Sequence, residues 1–174
     1  MPLQNGNDDP RDNYDALRDR ILKIMRLKAF TDYSLRVLIF LAARPQRRAT
    51  IAEIAAAFDI SENHLMKVCH ALGKAGVLAN VRGKGGGLEL AREPEAISVG
   101  HVVRVTEGPP RPAECFERAN GCRITSVCKL RPVLDDAVQA FYAVLDRYSL
   151  EDIARNRNVL SRVLALPRPA RRRS

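Results

Sequence analysis

No stretch of this sequence reaches the roughly 18 uncharged apolar residues that a membrane-crossing helix needs. A membrane-spanning role is therefore not expected. The opening MPLQNGNDDPRDNYD lacks the apolar run of a secretory signal, which points to the cytoplasm. No Ser/His/Asp set or carboxylate pair stands out, and His64, His70 and His101 are scattered, so an enzyme is not expected. There is no internal repeat and no CxxC pair of the kind structural zinc sites usually contain. Cysteine is scarce, with 4 in 174 residues. Three of them nevertheless fall within CFERANGCRITSVC, residues 115–128. In a reducing compartment such clustering favours metal or redox chemistry over structural disulfides.

What is present suits one domain, or a small domain with an appendage. The hydrophobic content of 46% is enough for a core. Net charge is +9. Arg168, Arg171, Arg172 and Arg173 supply +4 of it and residues 1–24 carry −1, which leaves a body of +6. A basic body is compatible with a polyanionic partner but does not by itself require one.

Residues 1–24 are polar, carry Pro2, Gly6 and Pro10, and read as a disordered or partly helical extension. From Met25 the sequence is patterned. FTDYSLRVLIFLAARP predicts a helix opening near Thr31 and stopped by Pro45; it is apolar nearly all round, which implies burial. Thr50 and Glu53 form a capping box at the head of IAEIAAAF. Ser61 caps the next helix, whose Leu65, Val68, Cys69 and Leu72 share one face at helical spacing. VLANV and LELA then flank the glycine-rich RGKGGG. Two short helices, a tight turn and a hairpin predict a winged helix-turn-helix over residues 25–108. Its last helix is SVGHVVRVTEG, capped by Ser98 and ended by Gly108. Residues 109–131 form an aperiodic cysteine loop. Residues 132–160 hold a long amphipathic helix and a short one, and residues 161–174 a basic disordered tail. Leu134, Ala137, Phe141, Val144, Leu145 and Tyr148 make a broader stripe than a small winged domain needs, so the pattern admits two readings, a dimerisation element or a helix folded back on its own core. The fold class expected is mainly α with a small β-hairpin wing.

A recognition helix must present polar side chains near its N-terminus to read the major groove. Ser61, Glu62, Asn63, His64 and Lys67 occupy those places. Asn63 can pair bidentately with adenine, and Lys67 can reach a guanine edge or a phosphate. Arg82 and Lys84 sit among glycines at the hairpin tip, suited to a DNA backbone or minor groove. Cys69 lies on the apolar stripe and reads as a small core residue. Three thiolates in an irregular loop admit an iron–sulfur cluster, a zinc ion, or free or redox-paired thiols. If they bind a cluster, one ligand position remains to be filled.

MRLKAFTDYSLRVLIFLA, ISENHLMKVCHALGKAGVLANVRGKGGGLELA, VGHVVRVTEG and the three-cysteine loop together resemble the iron–sulfur winged-helix repressors. FTDYSLR and NHLMKV are similar to the NsrR-type, nitric-oxide-sensing branch, of which the IscR type is a relative. The resemblance implies a homodimer on double-stranded operator DNA, released when nitric oxide attacks the cluster. It implies Cys115, Cys122 and Cys128 as cluster ligands, with Asp32 of the other subunit as the fourth. A 4Fe–4S form is preferred to a 2Fe–2S form. Asp32 has a plainer reading as well, since an acid in the first turn of a helix is favoured by the helix dipole. The IscR-type histidine three residues past the last cysteine is replaced by Arg131, and six residues separate Cys115 from Cys122, a wider gap than relatives often show. The alternatives are a general iron–sulfur or iron-status regulator of the same fold, and a zinc-stabilised interaction module without DNA binding.

Overall fold

The computed structural model describes residues 27–44, 47–117 and 119–165. The polar extension, Pro45 and the tail arginines lie outside these residues. Helix α1, Ala29–Ala42, is the centre of the molecule, with Val37, Leu38, Phe40 and Leu41 all at most 3% exposed. It opens two residues before the predicted Thr31. The residue before it, Lys28, offers no side-chain cap; instead the Lys28 backbone N–H donates to Glu107 Oε1 at 2.8 Å. A partner 79 residues away thus fixes the start of the helix.

Helix α2, Ile51–Phe58, begins on the predicted capping box. Thr50 Oγ1 accepts from Glu53 N at 3.2 Å and Glu53 Oε2 accepts from Thr50 N at 2.8 Å. The backbone N–H of Thr50 is the first cause holding the Glu53 carboxyl below its usual range. Asp59 turns the chain with φ of 56°, and Ser61 Oγ, accepting from His64 N, caps α3, Glu62–Lys74. Leu65, Val68, Cys69 and Leu72 of α3 pack inward with Ile54 and the α1 residues. Strands β1, Leu78–Val81, and β2, Gly87–Leu90, pair antiparallel from Leu78↔Leu90 to Val81↔Gly87. Ala49 bridges Leu88 on the free side of β2, which ties the hairpin to the approach to α2. Together these elements make the winged helix-turn-helix.

Helix α4, Val99–Glu107, forms despite its valines because Ser98 caps it and Val99, Val102, Val103 and Thr106 turn inward. The long helix α5 spans Leu130–Leu145, starting before Pro132 because proline is tolerated in a first helical turn. Two short helices follow, α6 over Leu150–Ala154 and α7 over Arg157–Ala165. Helix therefore continues past the boundary predicted at residue 160. Leu160 and Leu164 pack against the core, and Ser161 Oγ donates to the carbonyl of Ala43 at 2.8 Å. Among the described residues no helix is long and apolar enough to cross a membrane.

Helix α5 meets the winged domain through α4. Tyr142 packs with Val99 and Val103, and Arg104 grips Asp146 with two hydrogen bonds, 2.6 and 2.5 Å, while lying 4.5 Å from the Tyr142 ring centre. The Arg104 bonds hold the Asp146 carboxyl below its ordinary range. Their contribution is therefore present above the unfolded-state pKa and is lost as pH falls through the folded one. Gly100 makes the approach possible: a Cβ there would lie 2.0 Å from Asp146 Oδ1 and 3.0 Å from its backbone N. Gly100→Ala is expected to destabilise the protein by about 1–3 kcal/mol, as overpacking does. Urea unfolding checks this; an unchanged midpoint would show that α4 and α5 do not meet so closely.

Candidate nucleic-acid interface and cysteine loop

The capped N-terminus of α3 leaves Ser61, Glu62, Asn63, His64 and Lys67 all exposed, as the sequence predicted. The inward side of the same helix is the core face just described, so its orientation is fixed by packing. Arg82 and Lys84 are likewise exposed at the tip between β1 and β2. The tip turns through glycine for a steric reason: a Cβ at Gly86 would sit 2.4 Å from the carbonyl oxygen of Val81. Arg48 braces it, donating from Nε to Glu89 Oε2 at 2.7 Å and from Nη1 to the Gly85 carbonyl at 3.3 Å. A cleft of about 560 Å³ runs between α3 and the hairpin, bordered by Met66, His70 and Lys74 on one side and Asn80 on the other. Helix and wing thus open onto a common space.

Sequence reasoning missed the arm that reaches α3 from α1. Asp32 pairs with Arg36, at 2.6 Å between Oδ2 and Nη2. The Arg36 guanidinium lies 6.0 Å from the Tyr33 ring centre and 5.9 Å from that of Phe58. Tyr33 in turn meets His64, ring centres 6.2 Å apart. The Asp32–Arg36 spacing of four residues was legible as a helix pair; its onward contact to the recognition helix was not.

The cysteine loop runs from Gly108 to α5. Cys115 sits in a 3-10 turn over Glu114–Phe116, and Cys128 lies just before α5. Cys115, Cys122 and Cys128 are half-buried thiols without disulfides. Side-chain bonds hold the loop. Glu114 Oε1 accepts from Gly121 N at 2.7 Å, and Thr125 Oγ1 lies within donating distance of Asn120 Oδ1 and the Cys122 carbonyl. Among the described residues no three His, Cys, Asp or Glu side chains gather closely enough to hold a metal ion. The structure therefore brings together neither the three thiols nor Asp32 with them. The donor set itself still fits a thiolate-bound group: three unpaired sulfurs on one partly exposed loop are the chemistry such a group needs. Cys69 is different. It is buried, and desolvation pushes its thiol up to about 11, so it is an inert core residue.

Apolar side chains crowd the same region. Ile124, Val127, Leu130 and Val133 are 57–73% exposed beside the cysteines; Phe141 and Val144 continue the stripe along α5, with Tyr148 just past its end. The opposite side of α5, through Val138, Tyr142 and Leu145, faces the winged domain. The broad stripe seen in the sequence is thus two faces, one packed and one without a packing partner among the described residues.

The family model described as Rrf2, iron-dependent transcriptional regulator, matches residues 27–156. The chain is 47% identical over 144 residues to the HTH-type transcriptional regulator NsrR of Bacillus subtilis (strain 168), covering 82% of this chain and 99% of that one. Among solved structures, CymR, the global cysteine regulator of B. subtilis, is 32% identical with a TM-score of 0.59, over 76% of this chain and 98% of that one. IscR of T. potens is 27% identical with a TM-score of 0.61, over 76% and 88%.

Proposed function

The chain belongs to the Rrf2 family of iron-dependent transcriptional regulators, and from that premise we propose a cytoplasmic homodimeric repressor that holds an iron–sulfur cluster and leaves its operator when nitric oxide arrives. It is a regulator and not an enzyme. The observation that carries the proposal is the set of three unpaired, half-buried thiols on one loop, leading directly into an uncovered apolar helix face. Cys115, Cys122 and Cys128 would hold the cluster, in a 4Fe–4S form, with Asp32 of the second copy as the fourth ligand. When bound, the cluster supplies iron centres to which nitric oxide binds strongly.

The residues around it explain how its state can reach DNA. A carboxylate is a hard ligand for a site of soft thiolates, so Asp32 is the replaceable member of the set. In this structure its carboxylate is engaged by Arg36, which lies over Tyr33, which touches His64. A change of partner at Asp32 would therefore reach the recognition helix through three contacts, Asp32–Arg36, Arg36–Tyr33 and Tyr33–His64. Ser61, Glu62, Asn63, His64 and Lys67 would read the major groove, with Asn63 on a base edge, while Arg82 and Lys84 would bind the flanking backbone or minor groove. Half-sites of such dimers lie about 34 Å apart, so a small reorientation of the two wings is enough to spoil binding.

Anaerobically purified protein, treated separately with nitric oxide, oxygen and an iron chelator, tests the reading by operator release. Release at the lowest dose of nitric oxide supports it; release by chelator alone would favour the iron-status alternative. Colourless, iron-free protein as isolated would remove the cluster from the account. Asp32→Ala is expected to assemble a cluster that decays faster in air. An unchanged decay rate with a lowered melting temperature would reduce Asp32 to a helix-dipole role worth about 0.3–1 kcal/mol.

A further inference from the structure

Behind the wing lies a cleft of about 690 Å³, between the last turn of α1, the approach to α2 and strand β2. Four arginines border it, Arg44, Arg47, Arg48 and Arg92, against two acids, Glu89 and Glu93. Two of the four are engaged: Arg47 by Glu53, and Arg48 by Glu89. Neither Arg44 nor Arg92 makes a direct ion pair with a carboxylate among the described residues, although the Arg44 charge helps to lower the Glu53 carboxyl, which Arg47 holds. The Arg44 guanidinium lies 4.4 Å from the Phe40 ring centre, and Arg92 Nε donates to the Gly76 carbonyl at 3.1 Å. A guanidinium stacked on a ring keeps its N–H edge for an anion, and phosphate matches that edge.

The cleft begins at the wing. Gly85 and Gly86 of the hairpin tip are part of its lining, and Arg48, which braces the tip, stands on its edge. Between Gly86 and Arg92 runs strand β2, Gly87–Leu90, which at ~3.3 Å per residue spans roughly 10 Å, a track longer than one phosphate contact. We propose that this cleft receives the phosphate backbone of the DNA flanking each half-site, through Arg44 and Arg92. The inference rests on the DNA-binding reading above and extends the footprint beyond recognition helix and wing tip. Continuity with the wing favours duplex DNA over a free phosphorylated molecule, which shares the same chemistry.

The test uses the full chain and two operator duplexes, one ending at the half-sites and one carrying ten further base pairs at each end. Affinity is measured against salt for the wild type, Arg44→Gln, Arg92→Gln and the double variant. The wild-type salt slope is expected to be steeper on the extended duplex. Each substitution should lower that slope by about 0.9 for every phosphate no longer neutralised, and leave the short duplex unaffected. Arg92 is exposed, so its single variant carries the test should removal of the Arg44 stack impair folding. Equal slopes for the wild type and Arg92→Gln on the extended duplex, with operator still bound, would overturn the cleft while leaving DNA binding in place. A wild type that binds neither duplex would overturn both. If inorganic triphosphate raises the wild-type melting temperature but not that of Arg92→Gln, and duplex length has no effect, the cleft serves a free polyanion and the proposal fails.

Discussion

Replacing any one of Cys115, Cys122 or Cys128 with alanine is expected to remove nearly all bound iron and sulfide and leave the fold intact. The two halves of that expectation have separate causes. A cluster already short of one cysteine ligand has no further thiol to draw on: Cys69 is 7% exposed, and burial raises its thiol to about 11. No described residue of the loop, by contrast, belongs to the buried core, which is built from α1, α2, α3, the wing and the joints between them, with Ile97, Val102, Leu150 and Ala154. Truncating a half-exposed loop side chain away from such a core usually changes stability by about 0.5 kcal/mol or less. Iron and sulfide counts together with thermal unfolding check both halves. Cys69→Ala is the control, keeping the cluster and losing some core packing. If Cys69→Ala loses iron while Cys122→Ala keeps it, the ligand assignment is wrong.

Local signals in the sequence were reliable where the structure satisfies them locally. The Thr50–Glu53 capping box and the caps at Ser61 and Ser98 each begin a helix where a short-range hydrogen bond demands it. The start of α1 was misplaced because its first backbone donor is satisfied by Glu107, a contact no window of sequence contains. The pairing of Ala49 with Leu88 was invisible for the same reason. So was Gly100, whose missing side chain matters only because Asp146 arrives there from another helix. The C-terminal helix was cut short because its polar, arginine-rich surface resembles the tail that follows; Leu160 and Leu164 are what hold it. The candidate site divides along the same line. The residue types were legible, three thiols and a polar helix face, but their assembly was not. The sulfurs do not converge within one chain, and the contact from Arg36 through Tyr33 to His64 depends on how α1 crosses α3.

Phe141→Glu combined with Val144→Glu is expected to convert the protein to a monomer and lower operator affinity by about a hundredfold or more. Leu130, Ala137 and Val144 recur every seven residues along α5, with Phe141 beside them and Tyr148 just past the helix end, and all five are exposed. A stripe of this kind, on a helix anchored from its other side through Tyr142 and Arg104, suits the helix–helix seam that the proposed homodimer needs. Two-fold symmetry would place each substitution in the seam twice, so four carboxylates would crowd where none was before, and burying unpaired like charges is costly. Without the second subunit, two linked half-site contacts would become one. Linkage of that kind is worth about 10²–10⁴ in apparent affinity, which sets the size of the expected effect. The packed face of α5 is untouched, so unfolding of the winged domain should stay close to wild type. Sedimentation velocity gives the mass and fluorescence anisotropy the operator affinity. A variant that still sediments as a dimer with unchanged affinity would place the subunit contact elsewhere and leave the α5 stripe without a role. A monomer that still binds full operator as tightly as the wild type would separate dimerisation from DNA recognition.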